Sequence, residues 1–275
     1  MTDPATYRGA RSLMEQYGLS AKKKYGQNFL TDTGILDRIV DGAGITKEDA
    51  VLEIGPGLGA LTRRLSEAAG EVTAIEVDGE MIPVLTDTLS DRPNVRIIQG
   101  DILKTPLPFS KPFAVVANLP YYITTPVLFA LLESDAPIKS ITVMVQKEVA
   151  DRITASPGTK DYGALTLTVA YRAEPKILFT VPPEAFLPRP KVDSAVIHLE
   201  IRKEPKVSAA DPTLLFRLIR AAFLHRRKTL VNCLATEQIL TKEEAVEALK
   251  RAGFPEMVRG EALTLEDYER LTNAI

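Results

Sequence analysis

From residue 50 onward, short β-branched runs alternate with helical stretches, and this rhythm restricts the chain more than any other feature. Val51-Leu52-Glu53-Ile54 reads as a strand, 58–69 as a helix with Leu61 and Leu65 four residues apart, and Glu71 to Val77 as a second strand. Residues 79–90 read as helical despite Pro83, which a first turn tolerates. Val95 to Ile98 and 113–117 are further strands, 125–133 a helix, 139–145 a fifth strand and 146–154 a helix. Such alternation predicts an α/β fold with a mostly parallel sheet covered on both faces. Ile177–Val181 and Ser194–Ile201 follow with four prolines and no helix between them, which predicts an antiparallel edge. In the last strand Ala195, Ile197 and Leu199 alternate with Val196, His198 and Glu200, so one face is expected to be wetter. Residues 7–18 and 31–42 are predicted helices ahead of the sheet; 212–224, 241–252 and 264–274 are predicted helices after it. A boundary near residue 205 would separate a sheet domain, 1–205, from a small helical domain, 206–275.

A chain of 275 residues that is 45% apolar and 25% charged has the material for a large globular domain plus a smaller one. Cys233 is the only cysteine, which excludes an intramolecular disulfide and fits a reducing compartment. No early apolar segment resembles a signal peptide and no apolar run is long enough to span a bilayer, so a cytoplasmic protein is expected. The net charge of −2 does not indicate a globally basic nucleic-acid binder. Basic residues are instead clustered, as Lys22-Lys23-Lys24 and as Arg226-Arg227-Lys228, the second preceded by Arg217, Arg220 and His225.

Gly55-Pro56-Gly57-Leu58-Gly59 joins the first strand of the rhythm to its first helix. Glycines allow a tight turn and a close approach of backbone to ligand, and the helix start adds free amide donors. Gly55, Gly57 and Ala60 also satisfy a loose dinucleotide fingerprint, with Glu76 at about the distance of a ribose-binding acid. Three features favour S-adenosylmethionine over a nicotinamide dinucleotide: Glu53, the absence of a third glycine at the usual dinucleotide position, and Asp101. Glu53, two residues before the turn, is placed to order it or to approach the methionine part of the donor. Glu76 ends the second strand, where it would take both ribose hydroxyls. Asp101 follows the third in Gln99-Gly100-Asp101, where it would accept the adenine amine. Acids at successive strand ends would line one crevice, where open α/β sheets bind ligands.

The fourth strand ends in Asn118-Leu119-Pro120-Tyr121-Tyr122. An aromatic amine is a poor nucleophile because its lone pair is delocalised into the ring. Acceptors aimed at its two hydrogens pull the nitrogen toward tetrahedral geometry. The side-chain oxygen of Asn118 and the carbonyl of Leu119 are such acceptors, Pro120 holds the backbone that aims them, and Tyr121 offers a face for base stacking. No strong general base is needed, because the methylated nitrogen becomes acidic and positioning does the rest. A base within a helix would have to leave its stack to enter such a pocket.

These residues resemble those of the ribosomal RNA adenine dimethyltransferases, and the resemblance runs from about residue 20 to residue 270. It rests on Lys24-Tyr25-Gly26-Gln27-Asn28-Phe29-Leu30, on the glycine turn from Leu52 to Thr62, on Asn118 to Ile123, and on Val145 to Ala150. Pro183 to Val196 and Phe223-Leu224-His225-Arg226-Arg227-Lys228-Thr229-Leu230 complete it. It implies a Rossmann-like class I methyltransferase fold, seven-stranded and mostly parallel, with a C-terminal helical RNA-binding domain. It implies S-adenosylmethionine as donor, contacted at Gly55, Glu76, Asp101 and Asn118, with the segment from Gln27 to Leu30 closing over its methionine end and Asn28 and Leu30 implicated there. Phe186 is expected near the target adenine, beside or opposite Tyr121. The implied substrate is 16S rRNA in the 30S subunit or its precursor, where two adjacent adenosines of the 3′-terminal hairpin would each be dimethylated. Lys22, Lys23, Arg226, Arg227 and Lys228 are the expected RNA contacts, and a monomer is expected. The alternatives are a large-subunit rRNA adenine methyltransferase of the macrolide-resistance type and a non-catalytic ribosome assembly factor.

Overall fold

The computed structural model describes residues 2–22 and 25–275, which divide into two compact units. The first comprises residues up to Ala150 together with Pro175–Ile201. Its chain order is α1 (Tyr7–Gln16), β1 (Phe29–Leu30), α2 (Thr33–Ala43), β2 (Ala50–Ile54), α3 (Ala60–Ala68), β3 (Glu71–Glu76), α4 (Met81–Thr88), β4 (Val95–Gln99), β5 (Phe113–Asn118), α5 (Thr124–Leu132) and β6 (Ile138–Gln146). After α6 (Lys147–Ile153) and α7 (Ala164–Arg172) the chain returns through β7 (Ala173–Val181), β8 (Phe186–Leu187) and β9 (Ser194–Ile201).

Seven strands form one sheet in the order β4-β3-β2-β5-β6-β9-β7. The pairs among β4, β3, β2, β5 and β6 are parallel, and β6 meets β9 antiparallel, so the sheet is mostly parallel with an antiparallel strand toward one edge. Phe113 to Ala117 are all fully buried, as a central parallel strand covered on both faces requires. One side of the sheet packs on α2 and α3, where Leu36, Ile39 and Leu65 meet Val51, Val72, Val116 and Met144. Local chemistry starts the helices where the periodicity does. Asp32 accepts from the Ile35 amide at 3.0 Å to open α2, and Gly44, at φ 63°, closes it. The wetter face expected of β9 is confined to its end: His198 and Glu200 are accessible, but Val196 is fully buried among Leu36, Val116 and Met144. Phe29–Leu30 and Phe186–Leu187 add a two-stranded antiparallel pair that no period in the sequence announces, because each strand is only two residues long.

The second unit is Asp151–Glu174 with Arg202–Ile275, so the division differs from the single boundary expected near residue 205. The physical reason is a shared core. Tyr162, Leu167 and Tyr171, from the segment around α7, pack with Leu215, Leu218 and Ile219 of α8 (Pro212–Leu224) and with Tyr268 and Leu271 of α11 (Leu265–Thr272). The Tyr162 hydroxyl donates to Leu263 O at 2.8 Å. The helices α9 (Leu230–Thr236) and α10 (Lys242–Arg251) complete the unit, α10 opening with a capping box between Thr241 and Glu244.

Candidate active site

Parallel pairing brings the carboxyl ends of β2, β3, β4 and β5 to one edge of the sheet. Glu53 lies in register with Ala74 and Val116, and Glu76 with Gln99. Gly55, Gly57 and Gly59 turn the chain from β2 into α3 with φ of 69°, 57° and 86°, in the left-handed region. Space matters as much as conformation at Gly57, where a β-carbon would lie 3.0 Å from the ring of Phe29. Below this turn lies a cavity of about 500 Å³ whose walls include Asn28, Glu53, Gly57, Glu76, Asp101 and Asn118. That volume is within the usual range for a small-ligand site.

The three acids occupy different environments. Glu53 is 1% exposed, and burial pushes its carboxyl up to about 8. The Thr62 hydroxyl faces it and offsets part of that rise without closing a hydrogen bond, while the nearby Glu76 charge adds to it. Oε2 of Glu53 meets no donor among the described residues. Glu76 is held on both oxygens: Oε2 accepts from the Gly57 amide at 3.3 Å and Oε1 from the Asp78 amide at 2.8 Å. Burial raises its carboxyl, and those amides counter the rise. Asp101 is the most accessible; the Leu103 amide reaches its Oδ1 at 3.1 Å.

At the end of β5, the Asn118 side chain donates through Nδ2 to the Asn28 carbonyl at 3.1 Å. Its Oδ1 is therefore the end of the amide left to accept a ligand hydrogen. Leu119 is buried, with its amide on Met144 O at 3.2 Å. Pro120 O takes the Ile123 amide and the Thr124 hydroxyl, which fixes the turn into α5. Tyr121 Oη and Ser194 Oγ are 2.7 Å apart, and burial raises the phenol, so the ring is a neutral, anchored surface.

The predicted set separates into residues brought together and residues placed elsewhere. Asn28, Leu30, Glu53, Gly55, Gly57, Glu76, Asp101 and Asn118 to Tyr121 all border the one cavity. Phe186 does not border it. Its strand pairs with β1, Leu30 opposite Phe186, and this turns the ring into the core with Leu36, Ile39 and Val196 at 1% exposure. Lys22 is not a free surface cation either: its Nζ lies 2.9 Å from Asp78 and 2.8 Å from Glu80. Lys23 lies outside the described residues. In the second unit Arg226 is committed to packing its own loops, donating to Lys160 O at 2.8 Å and to Glu261 at 3.2 Å. Arg227 and Lys228 are exposed. Gln27 lies in the segment expected to close over the donor, but its 3.0 Å contact with Asp78 beside the cavity is not marked by anything in the sequence, since the two are 51 positions apart.

The cavity suits S-adenosylmethionine on structural grounds. The unpartnered Oε2 of buried Glu53 is an acceptor awaiting a cationic amine, and the glycine turn is a cradle that a β-carbon at Gly57 would fill. Glu76 keeps a lone pair on each oxygen for a diol, and Asp101 keeps acceptor capacity for an aminopurine.

Residues 18–275 match the family described as ribosomal RNA adenine dimethylase. The chain is 51% identical over 273 residues to the ribosomal RNA small subunit methyltransferase A of Lachnoclostridium phytofermentans, covering 96% of this chain and 94% of that protein. It is 47% identical to the protein of the same name from Alkaliphilus oremlandii, again over 96% and 94%. Among solved structures, a dimethyladenosine transferase from Plasmodium falciparum superposes with a TM-score of 0.75 at 28% identity, covering 88% of this chain and 95% of that one. The 23S rRNA methyltransferase ErmE superposes with a TM-score of 0.67 at 30% identity, over 90% and 99%. The fold is thus that of the class I methyltransferases.

Proposed function

The chain belongs to the ribosomal RNA adenine dimethylase family, and from that premise we propose that it transfers methyl groups from S-adenosylmethionine to the 6-amino groups of two adjacent adenosines in the 3′-terminal hairpin of 16S rRNA. The protein acts as a monomer in the cytoplasm on the 30S subunit or its precursor, and each adenosine is dimethylated. The observation that supports this chemistry is the Asn118 amide, whose Nδ2 donates to the Asn28 carbonyl at 3.1 Å and so leaves Oδ1 as its acceptor end, in the wall of the cavity that Glu53, Glu76 and Asp101 also line.

When bound, the donor supplies an electrophilic methyl group on a sulfonium centre. The protein's part is positioning. Glu53 takes the amine of the donor, Glu76 its ribose hydroxyls and Asp101 its adenine amine. Asn118 Oδ1 and the Leu119 carbonyl accept the two hydrogens of the target amine, and Tyr121 stacks on the flipped base. Each transfer breaks the sulfonium–methyl bond, leaving the donor as a thioether, and the methylated nitrogen, now acidic, releases one proton to water. After the first transfer it then carries one hydrogen, so one acceptor suffices to orient it for the second. Arg227 and Lys228 are the described members of the basic clusters whose charge is exposed for phosphate.

A large-subunit substrate is the second reading, supported by the likeness to ErmE. The higher identity to relatives named for the small subunit supports the first. Purified protein with labelled donor should methylate under-methylated 30S particles and leave 50S particles unlabelled. Label in 50S material alone would reverse the assignment; no label in either, with donor binding verified, would favour an assembly role without catalysis. In Asn118→Ala, turnover should fall by about 10²–10³-fold, as when one preorganised polar contact to the reacting group is removed, with donor binding retained. An unchanged rate would remove Asn118 from the mechanism.

A further inference from the structure

Gln27 borders the cavity, but nothing in the chemistry above uses its side chain, and that side chain is committed at both ends. Its Oε1 accepts from the Lys22 amide at 2.8 Å, and its Nε2 donates to Asp78 Oδ2 at 3.0 Å. Asp78 is 3% exposed; its Oδ1 meets Lys22 Nζ at 2.9 Å and the Glu80 amide at 3.2 Å. Burial would raise the Asp78 carboxyl, yet Lys22, the Glu80 amide and Gln27 together hold it below the ordinary range, so it remains an anion at neutral pH. One residue beyond Gln27, the Asn28 carbonyl takes the Asn118 amide nitrogen at 3.1 Å, while Asn28 Nδ2 closes back on Gly26 O at 3.1 Å.

We propose that Gln27 is a positioning residue for methyl transfer: clamped between Lys22 and Asp78, it holds the Asn28 carbonyl where it captures the Asn118 amide nitrogen, so that Oδ1 of Asn118 is the end presented to the target amine. This rests on the role assigned to Asn118 above. A side-chain amide turned by 180° keeps its shape but exchanges acceptor for donor, and a donor facing the amine hydrogens would repel them. A backbone carbonyl can only accept, so Asn28 O selects one of the two orientations, provided that carbonyl stays in place. On its C-terminal side it is held by the pairing of Phe29 and Leu30 with Leu187 and Phe186. On its N-terminal side the hold is Gln27. Only a primary amide of this length both accepts from an N–H and donates to a carboxylate. Glutamate would set a second anion against buried Asp78, and leucine would satisfy neither partner.

The chemistry of the clamp supplies its own test, an exchange of amide and carboxylate. Gln27→Glu places two carboxylates face to face, and Asp78→Asn confronts amide with amide, so that Gln27 must turn and set Nε2 against the Lys22 N–H. Each single variant should lose about 10–100-fold in kcat at saturating donor, the scale of a small misplacement at a reacting group. In the double variant Gln27→Glu/Asp78→Asn every contact again has a donor and an acceptor, and kcat should return to within about threefold of wild type. A double variant as impaired as the singles, with donor binding intact, would overturn the proposal, as would single variants whose whole loss lies in donor affinity. A second measurement does not depend on turnover. In protein labelled with ¹⁵N-asparagine, the Asn118 side-chain amide pair, assigned by its disappearance in Asn118→Ala, should be sharp in wild type and shifted or broadened in Gln27→Leu. An unmoved pair would overturn the clamp even if the RNA reading stands. A moved pair in a protein that methylates no RNA would uphold the clamp and reject the reaction.

Discussion

Glu53→Gln should stabilise the donor-free protein, and by an amount that grows with pH. Glu53 sits at 1% exposure on the central strand β2, and burial pushes its carboxyl from 4.5 up to about 8. A raised acid binds its proton more tightly folded than unfolded. Between the two values the unfolded chain has released the proton and the folded one has kept it, so stability falls as pH rises, by about 1.4 kcal/mol per pH unit. Integration gives a penalty of about 1 kcal/mol at pH 5 and about 5 kcal/mol at pH 9. Glutamine matches the neutral carboxyl in size and polarity but does not titrate, so the advantage of the variant should grow by about 4 kcal/mol between those conditions. Denaturant titration of wild type and variant without donor at pH 5 and pH 9 measures this directly. The same variant should bind S-adenosylmethionine about 10–100-fold more weakly, having lost a charge-assisted hydrogen bond to its amine. A stability difference that is equal at the two pH values, or that reverses in favour of glutamate as pH rises, would refute the reasoning. Stability withheld at this position and returned on donor binding is the expected signature of a site built for a cation.

Other outcomes follow from the same geometry. Gly57→Ala forces a side chain to φ 57° and sets its β-carbon 3.0 Å from Phe29; unfolding should show a loss of about 1–2 kcal/mol or more, and calorimetry a weaker donor complex. Arg227→Ala and Lys228→Ala should each reduce the slope of log affinity for rRNA against log salt by about 1. Arg226→Ala should mainly lower stability, by about 1–3 kcal/mol, since its guanidinium holds Lys160 O and Glu261; a pure salt-slope effect at Arg226 would contradict that assignment.

The sheet was legible in the sequence because parallel strands buried on both faces must be apolar throughout, and Phe113 to Ala117 could hardly be anything else. The acids at the strand ends were legible for a related reason: βα connections place strand ends along one edge, so Glu53, Glu76 and Asp101 converge once the rhythm is read. The chain thus determined by itself a fold, a crevice lined by acids and an amide at its rim. Only the tertiary structure decided how those groups are held. The pairing of two-residue strands sent Phe186 into the core, a shared apolar cluster joined residues 151–174 to the helical unit, and opposite charges drew Lys22 to Asp78. Each depends on contacts between residues far apart in the chain, whose energy comes from burial and pairing in three dimensions and leaves no period or motif in the local sequence. The Asn118 amide shows both sides: its residue type and strand position announced an acceptor, but only the Asn28 carbonyl, 90 positions away, decided which end of the amide accepts.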